Sequence, residues 1–241
     1  MKKSSATVLV LGALALSGCK AGVDVRTRSD HRSQREQSTE SIPLDGADKT
    51  LVEVRLGAGE LRVEGGATQL MEGDFRYGSS AGKPEIRHTK SGSHSVVSIT
   101  QQPGINFGPN EDVRWDVRLT DKQPVELIAN LGAGEARFNL GSLDLRNLEI
   151  HMGVGALLLD LRGNPKHDYD VEVHGGVGEA NIRVPKDVAI EAEAKGGIGD
   201  ISVRGLEKRK GRWVNPAHLD GPVAIRLNVS GGVGAIQITA E

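Results

Sequence analysis

Two histidines, His151 and His174, each stand two residues ahead of a Gly-x-Gly step, at Gly153 and Gly176, and so hold the same place in two copies of one motif. Paired imidazoles are zinc chemistry, but a zinc site takes three or four ligands. The next equivalent positions hold Lys195 and Ser230, and neither suits zinc. A surface ladder is the plainer reading of the pair. Carboxylates recur in the same way: Glu53, Glu149, Glu172 and Glu193 lie four residues before the glycines, and Glu60, Glu135, Glu179 and Asp200 lie three residues after the first of them. In stacked strands such equivalents would lie ~4.8 Å apart, where like charges repel. Either the bases Arg62, Arg137, Arg183 and Lys195 interleave with them, or a cation bridges them. Glu135, Glu179 and Asp200 are then the candidates for Ca²⁺, although the oxygen-rich loop spacing of calcium motifs is absent.

The remaining chemistry is sparse. Ser80-Ala81-Gly82-Lys83 matches a Ser-x-x-Lys pattern, but it sits in a Gly/Ser-rich loop without a Lys-Thr-Gly partner or a helix to hold the Lys near the Ser. Gly-x-Gly followed by a strand is not a dinucleotide loop, which must open a helix. No Ser/His/Asp set stands out along the chain. Aromatics make up 3% of the residues, which argues against a ring-stacking sugar platform. Lys208, Arg209, Lys210 and Trp213 form the one cluster with the look of an interaction spot. The alternative is that Trp213 folds back to cover the end of the structure.

The elements that must position these residues are repeats. First glycines of Gly-x-Gly steps fall at 57, 132, 153, 176, 197 and 232, with gaps of 75, 21, 23, 21 and 35. A period near 21 belongs to stacked architectures. Around each step the pattern alternates apolar and polar, the mark of a half-buried strand. Val54, Ala129, Ile150, Val173, Ala194 and Val229 form one inward column, and Val63, Phe138, Leu159, Ile182, Val203 and Ile238 form another. The unit reads as strand, Gly-x-Gly, strand. No unit can bury its apolar face alone, so stacking must do it. Residues 70–77, 84–88, 95–101 and 113–119 look like strands of an antiparallel cap on one end of the stack. The 35-residue gap implies a charged excursion turning at Gly211, after which the last unit closes the stack. No amphipathic helix is evident. The fold class is all-β, a stacked-strand solenoid-like repeat, with one continuous stack and two packed sheets both open as arrangements.

Ahead of the repeats lies an address. Met1-Lys2-Lys3, an apolar run over residues 8–16 and then Leu16-Ser17-Gly18-Cys19 resemble a bacterial lipoprotein signal, in which cleavage precedes a lipid-bearing Cys. Cys19 is the chain's one cysteine, so no disulfide can form within it. The expected organisation is a signal peptide over 1–18, a flexible charged tether over 19–44 and one β domain over 45–241, divided into 45–123 and a repeat stack over 124–241. Loss of residues 1–18 removes Lys2 and Lys3 and leaves 28 basic against 32 acidic residues, a net charge of −4. That mildly acidic balance argues against nucleic acid as a partner.

The Gly-Gly-Val-Gly-Glu and Leu-Gly-Ala-Gly-Glu units, with Gly205-Leu206-Glu207-Lys208 leading to Asn215, resemble the toast-rack domains of LiaF-like cell-wall-active antibiotic response proteins and related candidate adhesins. The resemblance covers about residues 45–241 and implies a fold but no catalytic motif. LiaF-type proteins pair the domain with transmembrane helices and restrain a histidine kinase, whereas this chain carries a lipobox in their place. The expectation is a non-enzymatic protein held at the membrane through lipid on Cys19, at the outer membrane facing the periplasm in a Gram-negative host. Its β domain would serve interaction or adhesion toward an envelope membrane protein or cell-wall polymer. An accessory regulator of an envelope-stress system is the second reading, and an envelope hydrolase the remote third.

Overall fold

The computed structural model describes residues 35–78, 82–102, 112–216 and 224–241. The expected signal peptide, Cys19, most of the tether, and Ser80 and Ala81 of the Ser-x-x-Lys step lie outside the described residues.

In chain order the strands are β1 (Arg35–Ile42), β2 (Lys49–Ala67), β3 (Met71–Gly78), β4 (Glu85–Ser91), β5 (His94–Thr100), β6 (Arg114–Thr120) and β7 (Val125–Asn139). They continue with β8 (Leu145–Asp160), β9 (Tyr169–Val184), β10 (Ile190–Ile198), β11 (Ile201–Arg204), β12 (Glu207–Arg209), β13 (Arg212–Val214) and β14 (Ile225–Ala240). All belong to one 14-stranded sheet. This resolves the open choice in favour of one continuous stack. The tether ends earlier than expected, because residues 35–42 are strand β1, paired antiparallel with β3. Its alternation had been hidden by polar residues on a strand that buries only Ile42.

Each repeat is one long strand bent at its glycines, except the β10–β11 pair, which is interrupted at Gly199 and Asp200. The bend has a steric cause. The second glycine of each step adopts φ between +132° and +147°, a region open to glycine and closed to residues with a Cβ. The backbones also nearly touch there, so a Cβ on Gly178 would lie 1.7 Å from the carbonyl oxygen of Gly155. β2, β7, β8, β9 and β14 stack parallel and in register, glycine over glycine. The columns Val52, Leu127, Leu148, Val171 and Leu227 before the bend and Val63, Phe138, Leu159, Ile182 and Ile238 after it are all buried. No second sheet or helix covers them among the described residues, so the two arms of the bent sheet bury each other. Leu140 and Leu143 close the side where one rung leads into the next.

The cap is mixed rather than antiparallel throughout. β4 pairs with β5, and β3 with β6, in antiparallel fashion, but β5 and β6 lie parallel to the two halves of β2. Together they cover the outer edge of the first rung.

The last unit does not close the stack. β14 inserts between β9 and β10, in parallel register with both. The inward residues explain the choice. β14 brings Leu227 and Val229, both buried, where β10 has Ala192 and Ala194, while past the bend Ile236 and Ile238 face the nearly equal Ile201 and Val203. Each extra buried CH₂ is worth about 0.8 kcal/mol, so the more apolar strand takes the doubly covered position. The cost falls on the edge strand, where Ile201 is exposed although its column is otherwise inward.

Candidate functional site

Stacking puts the polar columns on the outside of both arms, and most of their charge is neutralised within the strand. Arg55 reaches Glu53 at 3.0 Å, Arg137 reaches Glu135 at 2.6 Å, His151 reaches Glu149 at 2.5 Å and Lys195 reaches Glu193 at 2.6 Å. Residues two apart share a face, so acid and base alternate along these rungs, while across rungs like groups face each other, as Glu60 does Glu135 and Glu149 does Glu172. Arg62 adds to the pattern, 3.6 Å from Glu60, whereas Arg183 turns to Glu241 at 3.5 Å. Exposed pairs of this kind contribute at most about 1 kcal/mol each.

The calcium candidates do not converge. In register order their column runs Glu60, Glu135, Ala156, Glu179, Ala235 and Asp200. Ala156 separates Glu135 from Glu179, and the insertion of β14 sets Ala235 between Glu179 and Asp200. Each gap is then about two rung spacings, on the order of 10 Å, beyond the reach of one cation. Glu179 instead accepts from Asn181 at 3.1 Å. Among the described residues no group of three or more His, Cys, Asp or Glu is placed to hold a metal.

His151 and His174 do stack, with ring centroids 4.9 Å apart and planes 14° from parallel. His174 Nδ1 shares a hydrogen bond with Ser230 Oγ at 2.8 Å. The pair sits in the ladder Asn130, His151, His174, Ser230 and Lys195, flanked by polar groups rather than further ligands.

The charged excursion is the β12–β13 hairpin, turning at Lys210 and Gly211, both at positive φ. Trp213 folds back: it pairs with Ala192 of β10 and packs on the core, half-buried. Lys208 lies over its ring at 5.3 Å. Arg209 pairs with Glu207 at 3.2 Å, and Arg212 with Glu191. The cluster therefore spends its aromatic on covering the base of β10 rather than presenting it.

One constellation was not legible in the chain. His88 Nε2 lies 3.0 Å from Asp45 Oδ2 and 3.0 Å from Ser95 Oγ. A nucleophilic relay needs the two ring nitrogens to serve different partners. Here one nitrogen meets both, and Ser95 is buried to 1% exposure. The group ties the β1–β2 connection to β4 and β5, with Gln123 donating to Asp45 Oδ1 at 2.9 Å. Burial alone would push the Asp45 carboxyl up. Hydrogen bonds from Gln123, Ser95, the Ala47 amide and His88 outweigh it and hold the carboxyl well below its usual range. The unfolded chain, with an Asp pKa near 3.9, therefore takes up its proton first as pH falls. Stability from Asp45 is complete above about pH 4 and is lost below it. Melting curves between pH 7 and 2 are expected to show a shallower acid limb for Asp45→Asn than for the wild type, and equal slopes would refute this role. Lys83 of the Ser-x-x-Lys step is ion-paired with Glu40, which keeps its ammonium charged, the reverse of what a catalytic base requires.

The middle residue of each Gly-x-Gly step points outward at the apex of the bend. In register order these are Ala58, Ala133, Val154, Val177, Val233 and Ile198, one continuous aliphatic ridge. Val154 is 54% exposed, Val177 50%, Val233 45% and Ile198 73%. The aliphatic identity of this position is visible in the sequence, but its outward direction depends on the bend.

Residues 31–183, more than half of the chain, match the profile of the N-terminal domain of toast_rack, DUF2154. The chain belongs to the toast_rack family. The matched stretch begins ahead of β1 and so includes it. The toast_rack fold is shared with a candidate cell adhesion protein from Clostridium sporogenes, at 30% identity and a TM-score of 0.80, over 86% of this chain and 100% of that one. A candidate adhesin from Bacteroides fragilis has 10% identity over 85% of this chain and 97% of its own, with a TM-score of 0.27. One from Parabacteroides merdae has 11% identity over 83% and 96%, with a TM-score of 0.24. Both are too remote to bear on activity. No curated protein matches the chain.

Proposed function

We propose that this toast_rack protein is a lipid-anchored, non-catalytic component of the cell envelope that works by binding, with adhesion or attachment to an envelope partner as its task. The observation that carries the reading is the apex ridge. Six aliphatic or alanine positions line up over a length on the order of 24 Å, with their larger members about half exposed or more. Contiguous apolar surface of this kind marks interaction sites rather than ordinary solvent-facing sheet. The likeness to the Clostridium candidate adhesion protein supports the same reading. Anchoring rests on the lipobox-like Leu16-Ser17-Gly18-Cys19 and would tether the domain through acyl burial.

Crosslinking in cells with the full-length protein tests both parts, with Cys19→Ser and the pair Val154→Lys, Val177→Lys as variants. Membrane fractionation lost in Cys19→Ser is the expected result, and unchanged fractionation would refute the anchor. The ridge variant is expected to melt as the wild type does, because both side chains face outward, and to lose the main crosslinked species. Equal crosslinking would refute the ridge. Recovery of one dominant membrane protein would assign a docking role in regulation, and recovery of cell-wall polymer an adhesive one.

A further inference from the structure

The residue just before each first glycine faces inward at the apex. In register order this column reads Leu56, Leu131, Met152, Gly175, Gly231 and Gly196. The first three are buried. The last three have no side chain at all, and the backbone does not demand this. None of the three has a positive φ. A Cβ would lie no nearer than 3.8 Å to any neighbour at Gly175, 3.5 Å at Gly196 and 3.2 Å at Gly231, there against the terminal Cδ1 of Ile236. Glycine weakens a strand, and inside one it marks a bulge, a tight bend or a place where another group approaches closely. Here the missing side chains leave an apolar slot of about 40 Å³ between Met152, Leu157, Val173, Ala180, Val229 and Ile236.

The slot runs toward an uncovered end of the sheet. β13 pairs with β10 only at Glu191 and Ala192, and β11 pairs only with β14. Residues 193–198 and 201–204 therefore offer an outer edge with no strand partner among the described residues. Ile198 and Ile201 flank it, both exposed. At the other end the protein covers its first rung with β5 and β6. A solenoid end left bare is a template for strand addition. Asp200 stands on that edge without an ion pair among the described residues, while the neighbouring Glu193 already holds Lys195 at 2.6 Å.

We propose that the open end of the stack binds an extended peptide segment as one further strand on β10 and β11, seating a Leu or Met side chain in the slot over Gly196 and a basic side chain beside Asp200. The occupant follows from the repeat. The next strand in register would carry at this column the residue type found at Leu56, Leu131 and Met152, and that side chain would fill the space the glycines leave. The proposal rests on the binding reading above and names a different site, which meets the ridge at Ile198.

The test uses the full-length chain in detergent and a synthetic peptide with the sequence of Val125–Asn139 carrying Glu135→Lys, which places Leu131 at the slot column and a Lys at the Asp200 column. Saturable binding with new hydrogen-exchange protection of amides 193–204 is expected. The same peptide with Leu131→Gly should bind roughly ten-fold more weakly or worse. Gly175→Leu in the protein fills the slot from within. It should raise the melting temperature by about 2–4 °C and abolish peptide binding, so loss of binding is not loss of fold. Equal binding of both peptides, binding retained by Gly175→Leu, a lower melting temperature in that variant, or no binding by the wild type would each overturn the proposal. Self-association of the wild type that Gly175→Leu removes, without peptide binding, would make a second copy the occupant and also overturn it. Persistent crosslinking in cells alongside any of these failures would leave the binding reading intact and reject the slot alone.

Discussion

Gly178→Ala is expected to cost about 4 kcal/mol or more, a loss in the exceptional range for one substitution and a large share of the ~5–15 kcal/mol that holds a domain together. Two effects add. The position has φ +147°, and holding a residue with a Cβ in such a region costs about 1–3 kcal/mol. The new methyl would also lie 1.7 Å from the Gly155 carbonyl oxygen, so β8 and β9 would have to part where their ladder is continuous. Gly175→Ala, three residues away, is the control. It has room and ordinary φ, and is expected to stabilise by about 0.4–1 kcal/mol by restricting the unfolded chain. Denaturant midpoints for the two variants measure the difference. Similar midpoints would show that glycine in this motif is not a steric requirement.

Trp115→Ala is expected to cost about 3–5 kcal/mol. Trp115 is 1% exposed and is the largest fully buried side chain. It meets Phe75 edge-to-face, with centroids 5.7 Å apart and planes at 84°. It also sits opposite Leu61 in the parallel register of β6 on β2, so it joins the cap to the first rung. Its indole Nε1 is buried without a hydrogen-bond partner among the described residues. Trp115→Phe removes that unpaired donor along with some apolar area, and is expected to fall within about 1.5 kcal/mol of the wild type, as volume-similar core changes do. Urea unfolding of both variants settles this. A small loss in Trp115→Ala would mean that the cap does not depend on this contact, and hydrogen exchange in β3 and β6 would then be expected to differ little from the wild type.

The ladders show how far a periodic sequence carries. Val54, Ala129, Ile150, Val173 and Val229 alternate with polar neighbours in the chain, and alternation alone places them inward because a strand turns successive side chains to opposite faces. The stacking of His151 on His174 follows from their equal distance to a glycine. β1 lies wholly within the expected tether and is not legible as a strand, because all its residues but Ile42 are Arg, Glu, Gln, Ser and Thr, the composition of a linker. Composition cannot distinguish an edge strand with one buried residue from a flexible segment.

The sequence by itself determined the rung: its length, its inward columns and the Gly-x-Gly step at its middle. Those features are local, set by side-chain period and backbone sterics. Only the tertiary structure decided the order of the rungs. β14 displaced β10 from the interior because Leu227 and Val229 gain more from double coverage than Ala192 and Ala194 do. That one exchange set Ala235 between Glu179 and Asp200 and left β10 and β11 as the open edge, whereas Gly175, Gly231 and Gly196 are neighbours in either order. Parallel rungs of the same length are interchangeable in local geometry, so their order is set by which apolar faces are covered on both sides, a property of the assembled stack.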